Sequence, residues 1–468
     1  MLILSFSIFL FIMLAIGGAA SYFSKSTTFD YILAGRNIGP FSIALSAVST
    51  CHSGFMFIGM IGFTYKYGVS SIWMIVGWLF GDYIAWRFVY PKLRRLTEQK
   101  NTLTISDFVT SHLPQPYQFY IKSLLSILIF IFVGFYAAAQ LTAGSKALVI
   151  FLDISQISGI ILGGIVVLIY SVSGGIRASI WTDVVQSIIM LVSMIGLLVV
   201  ALINIGGLNS LFNSLHTIDP TLTNVFLNFD GWFILYVLGW CAFGMGVIGQ
   251  PHILTRPMAI RSVNDLKQSR IFYFGWYVVF SIAAVLVGLS ARVLLPELIT
   301  LDTEFALPLL ALETLPSFFV GLILAGIFSA CISTADSQIL VCSSTISQTF
   351  FSKFKGNLLL SRIMTFLALC SVTLLAIYAS KSVFFLVIFS WSILALLLCP
   401  FIIAQLFHFR FGFKLMLASI IVSVIVVYVW VHVFNLSNAV NEVLPGFLVL
   451  LILIVMSKPK RFQNKSMD

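Results

Sequence analysis

The sequence predicts an all-α polytopic membrane protein with about 13 transmembrane helices. Three observations carry that prediction. The 468 residues are 60% hydrophobic and 9% charged, with a mean hydropathy of +1.07, whereas soluble domains carry about 25% charged residues. The apolar residues fall into separate runs of about 20, the length a helix needs to span hydrocarbon. The basic residues collect in alternate loops: Lys92, Arg94, Arg95 and Lys100; Arg256, Arg261, Lys267 and Arg270; Lys353, Lys355 and Arg362; Arg410 and Lys414; and Lys458, Lys460, Arg461 and Lys465. The loops between them are poor in lysine and arginine, and 296–308 has none. This is the positive-inside pattern, so the net charge of +10 reports topology and not a nucleic-acid partner.

The runs lie near 2–21, 40–65, 69–90, 119–143, 148–170, 180–205, 229–251, 271–295, 316–349, 360–379, 382–407, 414–434 and 443–457. The first lacks a basic leader and a cleavage signature and reads as a retained helix. With 458–468 in the cytoplasm, thirteen crossings put Met1 outside. No polar linker is long enough to divide the chain, so a single transmembrane domain is expected.

The second run sets Ser42, Ser46, Ser49 and Ser53 on one helical face. Within it, STCHSG at 49–54 is polar and poor in helix formers. At mid-membrane depth that stretch predicts a locally unwound helix whose carbonyls are free for an ion or solute. The plainer alternative is close packing of small side chains. His52 reads first as a packing or hydrogen-bonding residue, with a proton relay as the alternative. The six cysteines (51, 241, 331, 342, 370 and 399) show no metal-ligand spacing and read as small buried side chains.

The fifth and sixth runs are joined by YSVSGGIRASIWTDVVQ at 170–186. Gly174 and Gly175 signal a turn, and Asp183 is expected to open the next helix with Thr182 as its cap. The polar stretch 207–230 is expected on the outer surface. The seventh run ends in Gly244, Gly246, Gly249 and Pro251, which weaken the helix and let a backbone or ligand come close. Beyond it, His252 is expected at the membrane edge and Arg256 as a cytoplasmic anchor.

The stretch 325–348, AGIFSACISTADSQILVCSSTISQ, is the most informative. Ser329, Ser333, Asp336, Ser337 and Ser344 share one helical face, with Thr334 beside them. A carboxylate and a row of hydroxyls are costly in hydrocarbon, so this face should look into protein or a wet cavity. Hard oxygen donors suit a small hard cation such as sodium. The last four runs are nearly all Leu, Ile, Val and Phe and read as scaffold. No GxxxxGK[ST], HExxH, CxxC or GxSxG occurs, so an enzyme is not expected.

Five stretches together resemble the sodium:solute symporter family, most of all its sodium/proline symporter branch. They are FDYILAGRNIGPFSIALSA (29–47), LTISDFVT (103–110), YSVSGGIRASIWTDVVQ (170–186), GQPHILTRPMA (249–259) and LAGIFSACISTADSQILVCSSTISQ (324–348). The resemblance implies the leucine-transporter-type inverted five-helix repeat, with halves at about 40–205 and 229–407. The helices 2–21, 414–434 and 443–457 would then be peripheral. It also implies sodium-coupled import of a small organic solute, an amino acid such as proline, across the cell inner membrane by alternating access. Carried over by position, sodium is held by the Ser49, His52 and Ala330 carbonyls and the Ser333 and Thr334 hydroxyls. Asp183 matches an acid near the cytoplasmic exit of that site. Asp336 and Ser337 lie where some members place a second sodium. Substrate contacts fall on Ser53, Gly54, Phe55, Tyr136, Gln140, Phe243, Val247 and Pro251.

Three positions depart from the branch. Cys51 stands where it carries an aspartate important for sodium, which leaves open that Asp336 supplies the acid or that protons replace sodium. Phe243 and Val247 stand where it has a Trp and a Tyr, which points to an altered or larger apolar substrate. The alternative functions are a proton-coupled symporter and a solute sensor or receptor without ion coupling.

Overall fold

An apolar chain in hydrocarbon has to close its backbone hydrogen bonds within itself, and helices do so. The computed structural model describes residues 1–25, 27–226, 231–351, 357–378, 382–437, 439–456 and 460–461. The basic positions Lys353, Lys355, Lys458 and Lys465, and 227–230 of the expected outer stretch, lie outside the described residues. Helices dominate, and the described strands are two residues each, Phe409–Arg410 paired antiparallel with Lys460–Arg461.

Among the described residues, ten helices are long and apolar enough to cross a membrane. Three shorter apolar helices accompany them: Pro40–Cys51, Gln156–Ile169 and Val443–Met456. The expected spans fall on these elements, but several are shorter or longer than the apolar runs suggest, so the count of thirteen stays an expectation. One boundary moves clearly. The break expected between 143 and 148 is absent, and Tyr117–Leu152 runs unbroken to Asp153, at φ 52°. Nothing in 144–147 forces a non-helical backbone, and Lys146 pairs with the buried Glu304 and the exposed Asp302 instead of ending the helix.

The bundle is organised around Ser317–Phe350, whose most apolar window is 83% buried, against 22% for Leu2–Tyr22 at the periphery. It packs chiefly on Tyr117–Leu152 and Gln156–Ile205. Val383–Leu406, expected to be scaffold, is also 83% buried over its window and packs on the Gly246–Gly249 turn. A backbone-close contact explains why. A Cβ at Gly249 would lie 2.6 Å from the Leu394 carbonyl oxygen, and one at Gly246 2.7 Å from Trp391 Nε1.

Two helices are interrupted where the sequence weakens them. Pro40–Cys51 ends at His52, whose φ of −89° and ψ of 66° leave the helical region. Ser53 then restarts the chain, its hydroxyl accepting the Phe55 N–H at 3.2 Å. Gly231–Met245 passes into a 3₁₀ turn at Gly246–Gly249 and an extended Gln250, and Pro251 opens Pro251–Ala259. Proline suits that first helical position because its missing N–H would find no partner there anyway.

The expected turn at Gly174 and Gly175 is a kink instead. Gly175 has φ 58° and ψ −149° inside Gln156–Ile205, and a Cβ there would lie 2.5 Å from the Tyr31 carbonyl oxygen. Thr182 therefore does not cap a helix, and its hydroxyl bonds back to the Ala178 and Ser179 carbonyls at 3.0 and 2.9 Å. Asp183 lies well inside a helix, where no free N-terminal amides remain to attract it.

Candidate ion and solute site

The interruption at His52 strips carbonyls of their usual donors. The His52 N–H closes the last bond of its helix, to Val48 O at 2.8 Å. The next two carbonyls, of Ser49 and Thr50, face Ser317–Phe350. Ser333 Oγ lies 3.1 Å from Ser49 O and 3.2 Å from Ala330 O. Thr334 Oγ1 lies 3.0 Å from Thr50 O and 3.1 Å from Ala330 O. Five oxygens, three carbonyl and two hydroxyl, thus converge between the broken helix and the central one. All five residues are fully buried. An oxygen-only group without a carboxylate is suited to a monovalent hard cation.

Ser49, Ala330, Ser333 and Thr334 meet here as the sequence leads one to expect. The His52 carbonyl makes no hydrogen bond to this group, and the Thr50 carbonyl stands in it as well. Sequence reasoning missed Thr50 because a carbonyl's availability depends on where the helix stops. The His52 ring instead sits among aromatic rings, 4.1 Å from the centroid of Tyr277 and 5.4 Å from that of Trp276, with Nδ1 3.0 Å from Val48 O. That is the packing role.

Asp183, Asp336 and Ser337, also expected as ion ligands, gather one turn away around a residue expected elsewhere. Arg256, read as a cytoplasmic anchor, is completely buried. Its guanidinium lies 3.1 Å from Asp183 Oδ2, 3.1 Å from Ser46 Oγ and 3.0 Å from Ser179 Oγ, and also bonds Ser337. It is held from its own helix by His252 O at 2.9 Å. Asp336 Oδ1 lies 2.9 Å from Ser337 Oγ and 3.2 Å from Ser179 Oγ. Asp183 Oδ2 also accepts from Ser46 at 2.6 Å. A guanidinium in this position disfavours a second cation at Asp336 and Ser337 by direct repulsion. Two carboxylates against one guanidinium nevertheless leave the cluster net negative when both are ionised, which favours a cation in the neighbouring oxygen group. Ser337 links the two groups, its hydroxyl donating to Ser333 O at 2.6 Å.

The expected solute residues are brought together on the other side of the break. Gly54 N–H donates to Gln140 Oε1 at 2.9 Å, and Ser53 Oγ lies 3.5 Å from Tyr136 OH. The Phe243 ring stacks on Trp391 at 5.4 Å and meets Trp78 edge-on at 5.6 Å. Phe55 lies 5.8 Å from Trp78, and Val247 and Pro251 are buried beside the second interruption. His252, expected at the membrane edge, is buried here, 5.4 Å from the Tyr136 ring. Several buried polar atoms in this zone have no partner: Gln140 Nε2, His252 Nδ1, Gln250 Oε1 and Gln338 Oε1. Buried polar groups are normally satisfied, so these atoms have capacity left for a ligand or for water.

The model of the Sodium:solute symporter family matches residues 31–423. The high-affinity proline transporter PutP of Bacillus subtilis is 29% identical over 440 residues, 92% of this chain and 92% of that protein. Sodium/proline symporter 2 of Staphylococcus saprophyticus is 29% identical over 472 residues, 97% of this chain and 90% of that protein. Among solved structures, a Na+-coupled sialic acid symporter in a substrate-bound outward-open state superposes with a TM-score of 0.81 at 18% identity, covering 98% of this chain and 99% of that one. At that identity the likeness shows the fold alone.

Proposed function

Because this chain belongs to the sodium:solute symporter family, we propose that it imports an amino acid of the proline type with sodium by alternating access. The protein is a multi-pass membrane transporter and not an enzyme, and sodium is its coupling ion. The observation that carries the finer reading is the five-oxygen group at the helix break: carbonyls of Ser49, Thr50 and Ala330 with hydroxyls of Ser333 and Thr334. It joins the helix that lines the solute zone to the helix that carries Asp336, so an ion bound there couples the two.

The solute zone is assigned to Ser53, Gly54, Phe55, Tyr136, Gln140, Phe243, Val247 and Pro251. The relatives named as proline transporters support a proline-type solute. Phe243 and Val247 supply only apolar surface from the second broken helix, so polar recognition falls to Gln140, Tyr136 and the amides near Gly54. Asp183 and Asp336 are assigned an indirect part: with Arg256 and Ser337 they seal the path below the ion and sense it through Ser333. The halves at about 40–205 and 229–407 are assigned as the inverted repeats, because each has an interrupted helix near its start.

An outside N-terminus and a cytoplasmic C-terminus fit the loops that gather at each end. At one end Arg36 bonds Thr97 O and Thr102 O, Arg94 bonds Ile260 O, and Arg177 pairs with Asp30 at 2.6 Å. At the other, Lys146 pairs with Asp302 and Glu304 at 2.5 and 2.7 Å. The arginine-rich end is the cytoplasmic one.

The test is uptake of labelled proline into proteoliposomes under an imposed sodium gradient, then under a proton gradient, with unlabelled amino acids competing. Sodium-driven uptake is expected. Uptake of every amino acid indifferent to sodium would sink the proposal.

A further inference from the structure

Asp82 is a buried acid to which the transport site gives no task. It stands on Ile72–Ile84, inside the apolar run WMIVGWLFGDYIAW, and its side chain is completely buried. Oδ2 accepts from Tyr273 OH at 2.6 Å, while Oδ1 has no partner. Among the described residues it makes no ion pair. Among the other buried acids, Asp183 has a cation in Arg256 and Glu304 has one in Lys146, while Glu442, far along the chain, is held by the Ser392 hydroxyl at 2.7 Å.

The titratable groups in electrostatic reach come from three elements and carry no cation. They are Cys51 at the end of the first broken helix, Tyr90 beyond its own helix, and Tyr273 and Tyr277 on Asp265–Leu294. Gly231–Met245 packs against it through Gly77 and Gly81 and brings only Tyr236 and Cys241, neither bonded to Asp82. Arg87, the next cation along the chain, is exposed and lies on the Phe88 ring, 5.2 Å from its centroid. An ionised Asp82 would be a buried charge without a counter-charge, which proteins and membranes both avoid. A small cation needs several oxygens around it, and the groups near Asp82 offer few: the Trp78 indole N–H can only donate, and Tyr90 and Tyr273 bring one hydroxyl each. A proton on Oδ1 removes the charge with no further ligands.

We propose that Asp82 is a proton-binding site that titrates during the transport cycle. The step forms one O–H bond at Oδ1 with a proton taken from water and returns it to water on release; no electrons move. Its link to the cycle rests on the transport reading. Trp78, one turn earlier, lies 6.4 Å from the His52 ring, 5.8 Å from Phe55 and 5.6 Å from Phe243. Tyr273, which holds Oδ2, lies 6.5 Å from His52. Movement at either helix break therefore shifts the walls of this pocket, and sodium-driven uptake should depend on external pH at fixed sodium.

Two measurements on the full chain separate this proposal from the transport reading. The first is infrared difference spectroscopy of purified protein across pH. The wild type should show the C=O stretch of a neutral carboxylic acid that fades on alkalinisation. Asp82→Asn should lack that band, and Asp82→Glu, should Asn impair folding, should shift it. The second is sodium-driven proline uptake against pH. A several-fold change is expected in the wild type, with a flat profile and unchanged sodium requirement in Asp82→Asn. A wild type without the band would overturn the proposal, as would a band or pH profile that Asp82→Asn leaves intact. A raised sodium requirement in Asp82→Asn, with no neutral-acid band in the wild type, would make Asp82 a sodium ligand instead. Should the wild type transport nothing, the transport reading fails and the infrared band alone decides Asp82.

Discussion

Ser333→Ala is the most direct perturbation of the proposed ion site. Its hydroxyl stands 3.1 Å from Ser49 O and 3.2 Å from Ala330 O, so its loss removes one of five converging oxygens. Contact with a charged partner contributes about 1.5–3 kcal/mol, and each 1.4 kcal/mol is about tenfold in affinity. The sodium concentration for half-maximal uptake should rise about 10- to 150-fold. The fold should change little. A lost neutral hydrogen bond costs about 1 kcal/mol, and alanine's better helix propensity offsets about half of it. The assay is a sodium titration of labelled proline uptake at saturating solute, with thermal melting of the detergent-solubilised protein in potassium as the folding control. Thr334→Ala should behave alike, since Thr334 Oγ1 bridges Thr50 O and Ala330 O. If both variants kept the wild-type sodium requirement, the assignment of the ion to this group would be wrong.

Three further outcomes are expected. Arg256→Met leaves Asp183 buried without its guanidinium and should cost about 3–5 kcal/mol. Adding Asp183→Asn should recover part of that, and simple additivity in a melting-based double-mutant cycle would show that the pair is not coupled. Gly81→Ala puts a Cβ 2.0 Å from the Gly244 carbonyl carbon, where two helices meet backbone to backbone, and should lower the melting midpoint sharply. Gly196→Ala, which meets nothing within 4 Å, is the control, and equal effects at the two sites would contradict the packing argument. In the short helix Thr28–Leu33 before the second span, burial works to raise the Asp30 carboxyl, but the hydrogen bond and charge of Arg177 and the Lys25 N–H leave it below its usual value. A folded pKa below the unfolded one contributes stability that is present at neutral pH and lost as pH falls through the folded value. Asp30→Asn should therefore destabilise by about 1.5–3 kcal/mol at pH 7 and make no difference in strong acid; a constant offset across pH would refute the pairing.

Much of the candidate site was legible because membranes make polarity expensive. The stripe of Ser329, Ser333, Asp336 and Ser337 and the polar STCHSG patch stand out against Leu and Phe, and both lie where helices meet. The glycines around 246 and Pro251 were legible as a weak point for the same reason that they form one: they lack a Cβ or an N–H. Charges near span ends were misread. Arg256 follows the same loop pattern as Arg261, yet its guanidinium turns inward to Asp183, and no periodicity distinguishes an anchor from a buried partner. Asp82 was overlooked although a lone acid in an apolar run is itself a signal.

The sequence by itself determined that the chain is a helical membrane bundle, which runs of it are apolar, which family it belongs to, and which helix faces are polar. The family follows from the five motif stretches, and the rest from composition and the helical period, which act locally. Only the tertiary structure decided which carbonyls are free, which acid meets which base, and which polar atoms remain without partners. Those depend on where a helix stops and what packs across the gap. Ser49 and Thr50 offer their oxygens because His52 leaves the helical region, and Ser333 and Thr334, nearly 300 residues away in sequence, stand opposite them.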